Sequence, residues 1–203
     1  MKTLKYTVVI LCIAILSISC GTETKKLKNE LKNSKEIIKN ASKVAKEGEN
    51  LQNTMLDLKS KTPLTKAQFE AWLPETLIEL PKTSSSINLI PGVGSCGASY
   101  NVLNKRIRVM IIDGAGAKGA GAVGPYMMSS KMDYDLEESW GTTKSKTING
   151  IKVKETYQKN NDEYTLSMFY NNRFAVDIEV AEVTYAELEQ LVKELNLEGL
   201  TGS

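Results

Sequence analysis

The spacing of apolar positions changes along the chain, and each change marks an element. Val8 to Leu16 is an unbroken apolar run. From Thr22 to Lys61 the chain has no proline and one glycine, Gly48, and is dominated by Lys, Glu, Leu, Ala and Asn, which is helical material. Within it Ile37, Val44, Leu51 and Leu58 recur every seven residues, with Ala41, Gly48 and Met55 four residues after the first three. That is a heptad seam sustained for about three heptads. It predicts a helix over 35–60 that docks on its own domain, self-associates, binds a partner or serves as a stalk. Pro63 ends it, and a capped helix starts at Thr65, with Gln68 completing a capping box and Leu64 facing Phe69 as a staple. Pro74 stops that helix. The same device, Val183-Thr184-Tyr185-Ala186-Glu187-Leu188, opens a terminal helix lined by Leu188, Leu191, Val192 and Leu195.

Between the capped helices the period drops to two. Lys105 to Asp113 turns from alternating to wholly apolar, as suits a central strand. Asn149-Gly150 is a type I′ hairpin signal between Thr143–Ile148 and Ile151–Gln158. Turns at Lys159–Asp162 and Asn171-Asn172 then separate Glu163–Tyr170 from Arg173–Val180. Four closely spaced alternating strands predict an antiparallel meander. A helix packed across it gives an α+β fold. Residues 78–90 and 95–103 add one or two edge strands. The expected organisation is 1–19 as a signal peptide, 20–62 as a helical tether and 63–203 as the α+β globular domain.

The N-terminus carries the most specific signal. Lys2 and Lys5 precede the apolar run, and Leu16-Ser17-Ile18-Ser19-Cys20 closes it. A charged start, a short apolar core and small residues make a secretory signal. With Cys20 directly after them, the stretch resembles a bacterial lipoprotein signal. The resemblance implies cleavage before Cys20 by signal peptidase II, diacylglycerol on its thioether and an N-acyl chain such as palmitate. It also implies a cell-envelope location, in the outer membrane facing the periplasm if the host has two membranes, since Gly21 stands where an inner-membrane retention Asp would. The apolar run is far shorter than the roughly 20 residues of a spanning helix, so the expected protein is anchored rather than spanning.

Charge divides along the same boundary. Residues 21–62 carry +4 and residues 63–203 carry −4. A basic segment next to the lipid suits anionic headgroups, or simply keeps a helix soluble. Lysines without interleaved aromatics are a poor nucleic-acid footprint, so no nucleic-acid partner is expected. The chain has no histidine, which removes Ser-His-Asp and Cys-His catalysis and His-ligated zinc. With Cys12 in the signal and Cys20 acylated, Cys96 is the one remaining thiol, read as a small buried residue.

Three clusters carry candidate chemistry. Gly114-Ala115-Gly116-Ala117-Lys118-Gly119 matches Gly-x-Gly-x-x-Gly after a strand, but an antiparallel meander follows instead of a β-α-β unit, so no dinucleotide cofactor is expected. Residues 114–124 form either a glycine-softened helix docked on the sheet or a loop over an edge or pocket. Met127, Met128 and Met132 with Tyr126 and Tyr134 suit a core contact or an adaptable binding face. Asp133, Asp135, Glu137 and Glu138 form an acidic patch without calcium-loop spacing, so no metal is expected. The globular part also resembles, in outline, bacterial envelope proteins with a Pro-Leu-Thr helix, a Leu-Pro-Glu-Thr-Leu stretch (Leu73–Leu77), a strand ending in Asp-Gly and an Asn-Gly hairpin. That resemblance carries no catalytic residues. The expected function is a non-enzymatic interaction module, anchored to the membrane through Cys20, with Ile37, Val44, Leu51 and Leu58 as its partner-binding seam. The alternative is a small-ligand or lipid-binding protein with 114–124 as a lid.

Overall fold

The computed structural model describes residues 22–201. The expected signal peptide and Cys20 lie outside them. Two helices come first, α1 (Thr22–Lys46) and α2 (Gly48–Ser60). They are nearly continuous, because Glu47 N–H still bonds Lys43 C=O at 3.1 Å and Leu51 N–H bonds Glu47 C=O at 2.9 Å. Helix α3 (Lys66–Trp72) follows, with the expected capping box at Thr65 and Gln68.

Nine strands then form one antiparallel sheet: β1 (Thr76–Leu77), β2 (Leu80–Ile87), β3 (Ser95–Val102), β4 (Lys105–Asp113), β5 (Asp135–Glu137), β6 (Gly141–Ile148), β7 (Ile151–Gln158), β8 (Glu163–Tyr170) and β9 (Phe174–Ala181). Their order is β1-β2-β3-β4-β9-β8-β7-β6-β5. The sheet is therefore two meanders that meet where β4 pairs with β9, from Arg106 opposite Ala181 to Asp113 opposite Phe174. The β6–β9 meander is the one the alternation predicts. Asn149 and Gly150 both have positive φ, +50° and +78°, as a type I′ turn requires.

Residues 95–103 are not an edge strand: β3 lies between β2 and β4, paired along its whole length. Its Cys96, Gly97 and Ala98 carry little apolar surface, so the alternation that marks an internal strand is faint. The true edges are the two-residue β1 and the acidic three-residue β5, both too short and β5 too charged to recruit another strand readily.

Helix α4 (Gly116–Ser130) connects the two meanders. The chain leaves the sheet's middle at Asp113 and must reach the far edge at Asp135. Fifteen helical residues span roughly 22 Å, and the five strand spacings to that edge span about 24 Å. One helix laid across the sheet face covers the distance. The glycine-rich stretch is thus a docked helix, and its glycines permit the close approach. A Cβ on Gly119 would lie 2.5 Å from the Asp113 carbonyl oxygen, and one on Gly114 2.6 Å from that of Arg173.

The other sheet face carries α3, the terminal helix α5 (Tyr185–Glu194) and a 3₁₀ turn, Leu197–Leu200. Between them and the sheet lies the main core, which includes Phe69, Tyr100, Ile107, Ile111, Leu166, Phe174, Ile178, Leu188 and Leu191. A smaller core forms on the α4 side from Leu58, Val93, Ile112, Ala120, Val123 and Ala175. Cys96 is fully buried in the main core, and burial pushes its thiol up to about 12. It is a structural residue.

Candidate interaction surfaces

Two polar joints and one open face set what this molecule can present. The first joint is Asp113, wholly buried at the end of β4. Arg173, from the β8–β9 turn, donates to its two carboxylate oxygens from Nε at 2.7 Å and from a terminal nitrogen at 2.8 Å. The backbone N–H groups of Leu64 and Ala115 complete the set at 2.8 and 3.0 Å. Arg173 also donates to Thr62 C=O at 3.0 Å. One buried carboxylate therefore ties together the end of the helical segment, the start of the α4 crossing and the central hairpin. A bidentate, charge-assisted pair is among the strongest forms of such contact.

The second joint holds α1 against the sheet's far edge. Asn33 donates to Glu138 Oε1 at 2.9 Å, and Asn40 accepts from the Asp133 N–H at 2.8 Å while its Nδ2 donates to the Asp133 C=O at 2.5 Å. Lys43 and Lys152 both reach the Asp133 carboxylate, the latter at 3.0 Å, and Lys32 pairs with Asp135 at 2.5 Å. Asn33 and Asn40 are seven residues apart and are the buried polar residues of α1. The acidic patch is thus the receptor for α1, with the Asp133 and Asp135 carboxylates engaged by lysines and the Glu138 carboxylate by Asn33. Among the described residues no group of three or more His, Cys, Asp or Glu is arranged to hold a metal ion.

Lysines 43 and 152, through their hydrogen bonds, hold the Asp133 carboxyl down at about 2. Its folded value lies below its unfolded one, near 3.9. The contribution of the Asp133 ion pairs to the joint is therefore complete above about pH 4 and is lost as pH falls toward 2. Asp133 is 41% exposed, so solvent reduces each ion pair to well under about 1 kcal/mol. We expect the protection of α1 amides, the observed exchange rate set against the intrinsic rate at each pH, to fall between pH 4 and 2 before the sheet opens. In Asp133→Asn that acid-dependent step should shrink, and an unchanged step would locate the acid sensitivity elsewhere.

The predicted seam divides along the helices. Leu58 is fully buried beside Ala120 and Val123, Leu51 is buried, Val44 is half-buried, and Ile37 is 62% exposed. Met127 lies in the core while Met128 faces solvent.

The open face lies beside α4, which covers only part of its side of the sheet. Over β2, β3, β4 and β9 a shallow trough of about 370 Å³ remains, lined by Ser84, Ser86, Ser99, Arg108, Met110 and Glu179. Arg108 and Glu179 pair across β4 and β9 at 3.6 Å and are both more than half exposed. Gly97 makes the floor: a Cβ there would meet Leu89 Cδ1 at 2.9 Å, so its absence lets Leu89 lie on the sheet. At the α4 end Asp177 accepts from Tyr126 Oη and from Ser167 Oγ, the latter at 2.6 Å. Burial, then that hydrogen bond, raises the Tyr126 hydroxyl well above its ordinary range. By contrast, the crevice beneath the C-terminal half of α4 has about 10 Å³, room for a single water.

Neither the trough nor the two joints stands out in the sequence. The serine run in β2, Ser84 to Ser86, with Ser99 in β3 is the one available sign of an uncovered face. A carboxylate ending an apolar strand and a heptad pair of asparagines are the signs of the joints. Comparison with protein-family models, with curated proteins and with solved structures finds no match.

Proposed function

We propose that the protein is a lipid-anchored component of the bacterial cell envelope that acts as a non-enzymatic interaction module. The lipid on Cys20 holds it at the membrane, in the outer membrane facing the periplasm if the host has two membranes, and the sheet domain presents the trough to a protein partner. The observation that carries this reading is the uncovered sheet face: a shallow, serine-lined surface with Arg108 and Glu179 exposed side by side. A surface of mixed charge and small side chains suits a protein contact with a polar rim better than an enclosed small molecule. The absence of histidine and the burial of Cys96 support a non-catalytic role.

The second reading, a small-ligand or lipid-binding protein with residues 114–124 as a lid, draws on the position of α4 beside the trough. Gly114, Gly119 and the Tyr126–Asp177 bond fix that helix to the sheet, which favours the first reading. A photo-crosslinking residue in place of Ser99, in the native host, should trap one discrete protein, and the same residue in place of Asn161, on the β7–β8 turn, should not. Labelled palmitate should enter the protein and be lost in Cys20→Ser. Equal crosslinking from both positions would end the proposal for the trough, and equal labelling of the variant would end it for the anchor.

A further inference from the structure

Helix α1 uses its polar side for docking and leaves its apolar side uncovered. Leu27, Leu31 and Ile38 are 69%, 59% and 70% exposed. With Ser34, Ala41 and Ala45 they occupy spacings of four and three residues, which places them on one line along the helix. Asn33 and Asn40 are fixed to the sheet edge through Glu138 and Asp133. At 100° per residue those asparagines lie a third of a turn or more from the centre of the apolar line, so the docking that holds α1 also turns the line outward. Lys28, Lys35, Lys39 and Lys46 run along one flank, all exposed.

We infer that this outward stripe of α1 lies on the surface of an anionic phospholipid bilayer. The inference rests on the proposed anchor at Cys20, which precedes the helix start at Thr22 by two positions. A chain fixed to lipid there can lay the first turns of α1 at the headgroups. Amphipathic helices bind that interface with an apolar face sunk a few ångströms into it and lysines along the sides. Lysine stems extend along the apolar boundary while their ammonium groups reach the phosphates. A second copy of the chain fits less well. Only three large apolar residues lie on the line, and Ser34, Ala41 and Ala45 offer little to a coiled-coil partner. The sheet domain lies on the opposite side of α1, so bilayer contact leaves the trough free.

The test uses the full chain, purified from membranes and reconstituted in phosphatidylethanolamine–phosphatidylglycerol vesicles brominated on the acyl chains. An environment-sensitive fluorescent amino acid replaces Ser34 in one sample and Asn161 in another. Intact mass reports acylation at Cys20 separately. Quenching at position 34 should exceed that at position 161 by about threefold or more, and Leu31→Glu with Ile38→Glu should bring it down to the control level. Equal quenching at the two positions in acylated protein would overturn the inference. So would fluorescence at position 34 that depends on protein concentration and not on bromination, because a second copy would then cover the stripe. A mass without acyl chains would refute the anchor, while the quenching comparison would still decide whether the stripe meets lipid.

Discussion

Replacing Asp113 with asparagine is expected to destabilise the protein by about 3–5 kcal/mol, because it removes one partner of a buried ion pair and leaves the other. Asparagine has nearly the same shape, so the loss is chemical. Its single carbonyl oxygen cannot accept from Arg173 Nε, a second guanidinium nitrogen, Leu64 N–H and Ala115 N–H, all of which Asp113 serves. Its amide group would also point donors at donors. Arg173 is only 21% exposed and would keep an uncompensated charge. For a chain of this size each 1 kcal/mol lowers Tm by roughly 2–4 °C, so thermal melts should show a drop on the order of 6–20 °C. Arg173→Met alone should be similarly damaging, since it strands the wholly buried carboxylate. The double variant should recover part of the loss, because both buried charges are then gone. If Asp113→Asn melts within about 1 kcal/mol of the parent, the joint contributes little and the three elements are held by apolar packing alone.

How far this molecule could be read from its sequence depended on where apolar surface was dense. The α+β fold and the β6–β9 meander were legible because Tyr164, Leu166 and Met168, and then Phe174, Val176 and Ile178, alternate with polar neighbours and end in Asn-rich turns. Both capped helices were legible because a side chain reciprocally satisfies the first free N–H groups. Strand β3 reads as an edge strand in sequence because its inward residues include Cys96 and Ala98, which carry almost no apolar signal. Strand β5 reads as an acidic patch in sequence, because three residues are too few to show a period. Residues 114–124 fit either a helix or a loop in sequence, because helix propensity penalises glycine and does not register the backbone contact that Gly119 makes. The polar clasp of α1 was hidden for a different reason. Asparagines on a lysine-rich helix look like a solvated face until Asp133 and Glu138 are brought to them from about a hundred residues away. The trough is defined by what fails to cover it, and a periodic pattern reports coverage only indirectly.

The second large effect is expected at Leu58, where a seam that reads as a tether becomes part of the core. Leu58 is fully buried between α4 and the sheet, with Ala120 and Val123 beside it and its Cδ1 3.1 Å from where a Gly114 Cβ would stand. Nothing larger than hydrogen fits at Gly114, so the surrounding backbone has little room to collapse into a space left by a shortened side chain. Leu58→Ala should therefore fall well within the range of about 2–5 kcal/mol for buried leucine truncations. Ile37→Ala, at an exposed position of the same heptad register, should stay within about 0.5 kcal/mol. Deleting residues 22–61 should lower the melting temperature by at least as much as Leu58→Ala, since Leu51 and Met55 leave with it. The ordering along the seam is the decisive result: Leu58 large, Leu51 smaller, Ile37 negligible. A flat profile, with Leu58→Ala as mild as Ile37→Ala, would mean that the sheet domain begins at Pro63 and that α2 only rests on it. The steep profile makes the helical segment graded, with its C-terminal turns serving the fold and its N-terminal turns available for the proposed bilayer contact.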